Sequence, residues 1–144
     1  MQYVWPYDKF SIVNGHVIGG LVTKACSDSE VLNVYGTGSA LRQFLYAKDF
    51  AKIIYFVAQN PAPMSRLILA PPSEHSIKQV AELIGNLSKK ELRFDASKSD
   101  GQIKKYSKSL YMDSYIQGFQ WTPLEIGLKE TYDWYLNRCN DKVR

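Results

Sequence analysis

From Ser76 to Leu87 the chain reads SIKQVAELIGNL, and this stretch constrains the fold more than any other. Ile77, Val80, Ala81 and Ile84 recur on one helical face, and Ser76 with Gln79 three residues later forms a capping box. The helix therefore has a start and an apolar side that another layer must cover. The remaining candidate elements are short. Val31–Tyr35 reads as a strand stopped by Gly36-Thr37-Gly38, and Arg42–Tyr46 as a second strand rich in aromatic and apolar residues. Arg66–Ala70 reads as a compact apolar strand ahead of Pro71-Pro72, and Glu91–Phe94 as another strand.

Three further helices are predicted. His16–Cys26 places Val17, Leu21 and Ala25 on one face, although Gly19 and Gly20 weaken it by up to ~1 kcal/mol each. Lys48–Gln59 carries an apolar stripe of Phe50, Ile53, Ile54 and Val57 and ends at Asn60-Pro61. The last begins with Thr122 as cap, Pro123 at the first helical position and Glu125 closing a box. It runs through Leu124, Leu128, Thr131, Tyr132 and Tyr135 to about Asn137. The opening Trp5–Gly15 reads as loop. Short strands with segregated helices leave an α+β domain and a fragment of an α/β fold both open.

Several chemistries are disfavoured by what the chain lacks. No apolar run approaches the ~20 residues of a membrane span, and the N-terminus lacks the regions of a signal peptide, so a soluble cytoplasmic protein is expected. Cys26 and Cys139 lie far apart and outside any C-x-x-C spacing, so neither a disulfide nor a metal site is expected. No G-x-G-x-x-G follows a strand, and Gly36-Thr37-Gly38 lacks the third glycine. No tyrosine is followed by a lysine four positions on; Tyr3 leads to Tyr7 and Tyr46 to Phe50. A dinucleotide fold within this chain is not expected.

The net charge of +4, from 18 Lys and Arg against 14 Asp and Glu, suits an anionic ligand without singling one out. Basic residues concentrate between Lys89 and Lys108. Such a run is usually a solvated surface; phosphate binding and nucleic-acid binding are its rivals.

Several separated stretches share one pattern. Pro6-Tyr7-Asp8-Lys9-Phe10, His16-Val17-Ile18 with Leu21, and Val34-Tyr35-Gly36-Thr37-Gly38 followed by Arg42-Gln43-Phe44 resemble the GDP-L-fucose synthases in order and spacing. Phe94-Asp95-Ala96-Ser97-Lys98-Ser99-Asp100-Gly101, Thr122-Pro123-Leu124 and the helix with Glu130-Thr131 and Trp134 are similar to the same family. The glycine–arginine stretch alone is widespread among sugar-nucleotide epimerases; the Phe94–Gly101 segment together with His16-Val17-Ile18 narrows it.

The resemblance implies the C-terminal, substrate-binding portion of an α/β enzyme. Residues 1–144 would form one small mixed α+β domain, without the Rossmann core. It implies conversion of GDP-4-keto-6-deoxy-mannose to GDP-L-fucose by epimerisation at carbons 3 and 5 and NADPH reduction of the 4-keto group. The main NADP(H) site, a catalytic Cys and the chief contacts of the family's homodimer would lie in a separate Rossmann half. The chain alone is then expected to be inactive and to expose apolar surface that the other half covers. A non-catalytic nucleotide-sugar-binding module is the alternative, and a basic nucleic-acid-binding domain ranks last.

Carried over residue by residue, His16 is the catalytic acid/base and also touches the cofactor. Histidine titrates near neutrality, which proton transfer beside a carbonyl requires; the rival is a surface loop histidine. Lys24, Tyr35, Arg42 and Asp100 are the substrate-binding residues. Lys24 lies about 12 Å from His16 along a continuous helix, with a solvated lysine as rival. Arg42 offers a planar fork to phosphate oxygens, with a strand-edge arginine as rival. Tyr35 stands where the family usually has Trp and can stack on the nucleotide or pack on the core. Asp100 can accept paired N–H bonds from guanine or simply serve an Asp-Gly turn. Trp5 replaces a family glycine near the cofactor, and Gly19 a usual proline, which would loosen the helix after His16. A start at Met1 inside this motif suggests a truncated, mis-started or split enzyme.

Overall fold

The structure, a computed structural model, describes residues 2–61, 67–108 and 110–141. In chain order the elements are β1 (Gln2–Val4), α1 (Val17–Ala25), β2 (Val31–Tyr35), β3 (Leu41–Arg42), β4 (Phe44–Tyr46) and α2 (Ala47–Gln59), then β5 (His75–Ser76), α3 (Ile77–Ser88), β6 (Glu91–Asp95), β7 (Lys104–Lys105), α4 (Leu110–Tyr115) and α5 (Leu124–Asp141). This is a mixed α/β arrangement of small sheets and packed helices.

β2 and β6 pair in parallel from Val31 opposite Glu91 to Tyr35 opposite Asp95. Side chains alternate along β2, so Leu32 and Val34 are buried while Asn33 and Tyr35 face outward. The inward pair meets Ile18, Leu21, Val22 and Ala25 of α1 and Val80, Ala81 and Ile84 of α3. Leu124, Leu128 and Tyr132 of α5 join the same core, with Val4, Phe44 and Tyr46 from the parallel β1–β4 pair. The expected capping box starts α3: Gln79 N–H donates to Ser76 Oγ, and Ser76 N–H donates to Gln79 Oε1.

Five expectations change. Arg42–Tyr46 is not one strand, because Gln43 interrupts it. The buried Gln43 amide donates to the carbonyls of Pro71 and Ser107, and its oxygen accepts the Ser107 N–H. β3 thus joins β5 and β7, while β4 joins β1. Residues 67–70 of the expected apolar strand are not extended into a ladder. Leu67 and Leu69 instead pack against the cluster of Ile53, Met112 and Ile116, so that run is apolar for packing; Arg66 lies outside the described residues.

Thr122 does not cap α5. Its N–H and hydroxyl both donate to the buried Asp49 carboxylate, at 2.7 and 2.9 Å, and the helix begins where the Pro123 carbonyl accepts from Ile126. α5 also continues past Asn137 to Asp141. On α2, Ile53 is buried but Ile54 is 52% exposed, with Tyr55 and Phe56 beside it also exposed. The helix turns only its Ile53 side to the small cluster, which leaves Ile54 off the buried stripe.

Candidate functional site

α1 builds one wall of a groove. His16 precedes its first turn with an extended backbone, and its carbonyl accepts the Gly20 N–H at 2.8 Å. His16, Gly20 and Lys24 follow at four-residue intervals, so they share one helix face. With Val34 and Tyr35 of β2, Ile77 of α3 and the Ile12–Val13 loop, they line a cavity of about 240 Å³.

Lys24 is partly desolvated, which pulls its ammonium below the ordinary lysine range. Its Nζ donates to the Asn33 carbonyl at 2.9 Å and stands 3.7 Å from the centroid of the Tyr35 ring. The two substrate-binding candidates are thus coupled to each other. His16 faces Asp8, with Nδ1 3.5 Å from Oδ1.

Tyr35 leads into the Gly36-Thr37-Gly38 turn, where both glycines have positive φ, +80° and +78°. A Cβ on Gly36 would lie 2.3 Å from Asp100 Oδ1, so only glycine admits the carboxylate. Asp100 Oδ1 accepts the N–H groups of Thr37 and Gly38, at 2.8 and 3.1 Å, and Oδ2 accepts the Thr37 hydroxyl at 2.7 Å. The Thr37 hydroxyl, then these amides, hold the carboxyl below the usual range against partial desolvation. Both oxygens of Asp100 therefore hold the Gly36–Gly38 turn rather than a turn at Asp100-Gly101 itself.

Arg42 lies on β3 opposite His75, outside the residues that line the groove. It is only 7% exposed, and its Nη1 donates to the Leu41 carbonyl at 2.7 Å. Among the described residues it forms no ion pair. The structure thus brings His16, Lys24 and Tyr35 together, places Asp100 on the adjoining turn and sets Arg42 on a neighbouring strand.

Two participants escaped the sequence reading: Asp8 beside His16, and the Asn33 carbonyl that anchors Lys24. Asp8 sat inside a quoted motif, but nothing local marks its approach to His16. The basic run is not a uniform stripe. Lys90 donates to the carbonyls of Lys24 and Ser27 at the end of α1, and Lys104 pairs with Glu74 at 2.7 Å. Cys26 and Cys139 are free thiols, and burial pushes Cys26 up to about 11. No helix among the described residues is long and apolar enough to cross a membrane.

Residues 6–67 match the NAD dependent epimerase/dehydratase family. A GDP-L-fucose synthase of Dictyostelium discoideum is 38% identical over 139 residues, covering 92% of this chain and 43% of that protein. The crystal structure of a GDP-L-fucose synthetase from Naegleria fowleri superposes with a TM-score of 0.86 at 34% identity, over 96% of this chain and 44% of that one. The same enzyme bound to NADP superposes with a TM-score of 0.84. The chain spans less than half the length of the relatives it matches.

Proposed function

We propose that this chain, a homologue of the GDP-L-fucose synthases spanning less than half their length, is the GDP-sugar-binding half of such an enzyme. In this reading residues 1–144 are one substrate domain, and a Rossmann half outside it carries the nicotinamide. The observation that supports it most is the groove that gathers His16, Lys24 and Tyr35.

The chemistry suits those residues. A 4-keto group makes the hydrogens on the flanking carbons 3 and 5 acidic, so epimerisation needs one group to remove a proton and another to return it on the opposite face. His16 sits at the rim of the groove with 71% of its side chain exposed, where it can exchange such a proton. Lys24 lies two helical turns further on, about 12 Å away, at a reach suited to the diphosphate or nucleotide when the sugar is at His16. The Tyr35 ring, half exposed, offers a stacking face beside it.

The similar Naegleria fowleri enzyme is bound to NADP, and in this reading NADPH would supply the hydride. The residues here do not fit its diphosphate. The chain has no glycine fingerprint after a strand, and in the Gly36–Gly38 turn beside the groove Asp100 already takes the Thr37 and Gly38 amides. Hydride delivery in this reading belongs to the Rossmann half outside this chain.

Calorimetry with GDP and with GDP-fucose tests the reading. Binding of both is expected, and no heat from either with a folded chain would overturn it. An NADPH-oxidation assay with the 4-keto substrate should give no turnover from the pure chain. Steady oxidation would overturn the proposed division into halves.

A further inference from the structure

We propose that Asp8 is the positioning residue for His16: its carboxylate accepts the ring Nδ1–H, so Nε2 is the nitrogen that exchanges a proton in the groove. What Nε2 acts on rests on the functional reading above; the positioning itself does not.

The contact depends on a close approach that two glycines permit. A Cβ on Gly15 would lie 2.2 Å from the Ser11 carbonyl oxygen, and one on Gly19 would lie 2.6 Å from that of Lys9. With no side chain at either position, the segment carrying Asp8 presses directly onto the start of α1. The carboxylate is then held in place. Asp8 N–H donates to the Trp5 carbonyl at 3.2 Å, and Asp8 Oδ1 accepts the Lys9 N–H at 2.7 Å. The Asp8 side chain is only 13% exposed, and Oδ2 is buried with no hydrogen-bond partner. Among the described residues its one ion-pair partner is His16, at 3.5 Å.

His16 contrasts with it. Its ring is largely exposed, and among the described residues Asp8 is the side chain that reaches either ring nitrogen. A carboxylate can only accept, whereas a neutral imidazole carries one N–H and one lone pair. The nitrogen facing Asp8 must therefore bear the hydrogen, which leaves the Nε2 lone pair for a proton. After Nε2 takes that proton, Nδ1–H still points at the carboxylate, so the ring can return it without turning over. At 3.5 Å the bond is at the outer edge of hydrogen-bond range, as is common before a ligand tightens a site.

The chain contains only two histidines, His16 and His75, so the ring nitrogens can be read directly. Nitrogen-15 NMR on histidine-labelled protein, with His75→Gln to assign the signals, reports the tautomer of each neutral ring. The expected result is His16 with hydrogen on Nδ1 in the wild type and a shift toward the Nε2–H form in Asp8→Ala. A wild-type His16 carrying its hydrogen on Nε2, or an Asp8→Ala spectrum unchanged, would overturn the proposal. The wild-type spectrum decides even if Asp8→Ala does not fold. GDP calorimetry on the wild-type chain separates the two ideas. An Nδ1–H tautomer without nucleotide binding upholds the positioning and fails the functional reading. An Nε2–H tautomer with binding does the reverse.

Discussion

The ammonium of Lys24 stands 3.7 Å from the ring centroid of Tyr35 and donates to the Asn33 carbonyl at 2.9 Å, so one side chain ties α1 to the exposed face of β2 through two contacts. A cation over an exposed ring is worth about 0.5–1 kcal/mol, small enough for a ligand to share or displace. A nucleotide stacked at Tyr35 would therefore meet both residues together.

The first prediction follows from the size of that ring. Tyr35→Trp enlarges the stacking surface and should tighten GDP binding by about 0.5–1.5 kcal/mol, while Tyr35→Leu should weaken it. Calorimetry checks both, and affinities unchanged in both variants would remove Tyr35 from the site.

Asp100 offers a cleaner discrimination. In Asp100→Asn the amide oxygen can still accept the Thr37 and Gly38 N–H groups, and the amide nitrogen can donate to the Thr37 hydroxyl. If the carboxylate serves the turn, GDP affinity should stay within about twofold, a change under ~0.5 kcal/mol. Loss of binding at unchanged melting temperature would instead show that the carboxylate reads the ligand.

The same residue predicts a pH dependence. Hydrogen bonds hold its folded-state carboxyl below the ordinary value near 3.8. The stability this contributes is therefore complete above that value and lost as pH falls through the lower, folded-state one. Glu130, lowered by Lys48 and Tyr46, acts in the same direction. Melting curves from pH 7 to pH 2.5 should show acid destabilisation that is shallower in Asp100→Asn than in the wild type. Equal acid sensitivity in the two would contradict the assignment.

Gly19 and Gly20 should respond oppositely to the same change. A methyl on Gly19 meets the Lys9 carbonyl oxygen at 2.6 Å, whereas one on Gly20 has only ordinary contact with the Ser11 carbonyl oxygen at 3.5 Å. Gly20→Ala should raise stability by up to ~1 kcal/mol through helix propensity. Gly19→Ala should lower it by about 1–3 kcal/mol, because backbone cannot give way as a flexible side chain can. Thermal melts of the two variants check the contrast. The glycine does not simply loosen the helix, as its sequence context had suggested; it admits the Asp8–Lys9 segment.

Arg42→Ala should weaken GDP binding by about 1.5–3 kcal/mol if its fork meets phosphate. A buried guanidinium with no carboxylate among the described residues is costly unless an anion answers it. A melting temperature measured in parallel separates lost packing from lost binding, and unchanged affinity would exclude Arg42 from the site.

What was legible in the sequence was local. The Ser76–Gln79 box and the alternation of Leu32 and Val34 each depend on neighbours a few residues away. So does the His16–Gly20–Lys24 spacing that defines the groove wall. The break at Gln43 was hidden because its partners, Pro71 and Ser107, lie 28 and 64 residues along the chain. Thr122 misled for a similar reason: Asp49, 73 residues away, takes the hydroxyl that would have capped α5. For Asp100 the residue was visible but its partners were not. The meeting of Asp8 with His16 depends on a backbone approach that only the folded chain reveals.

The most direct test of the groove as the nucleotide-sugar site is a titration of the nitrogen-15-labelled chain with GDP, followed by amide chemical shifts. The account predicts saturable shifts concentrated at Gly20, Lys24, Tyr35 and the Gly36–Gly38 turn, with a lesser effect at Arg42. Saturable shifts confined to the basic stretch between Lys89 and Lys108, or none at all from a folded chain, would contradict it.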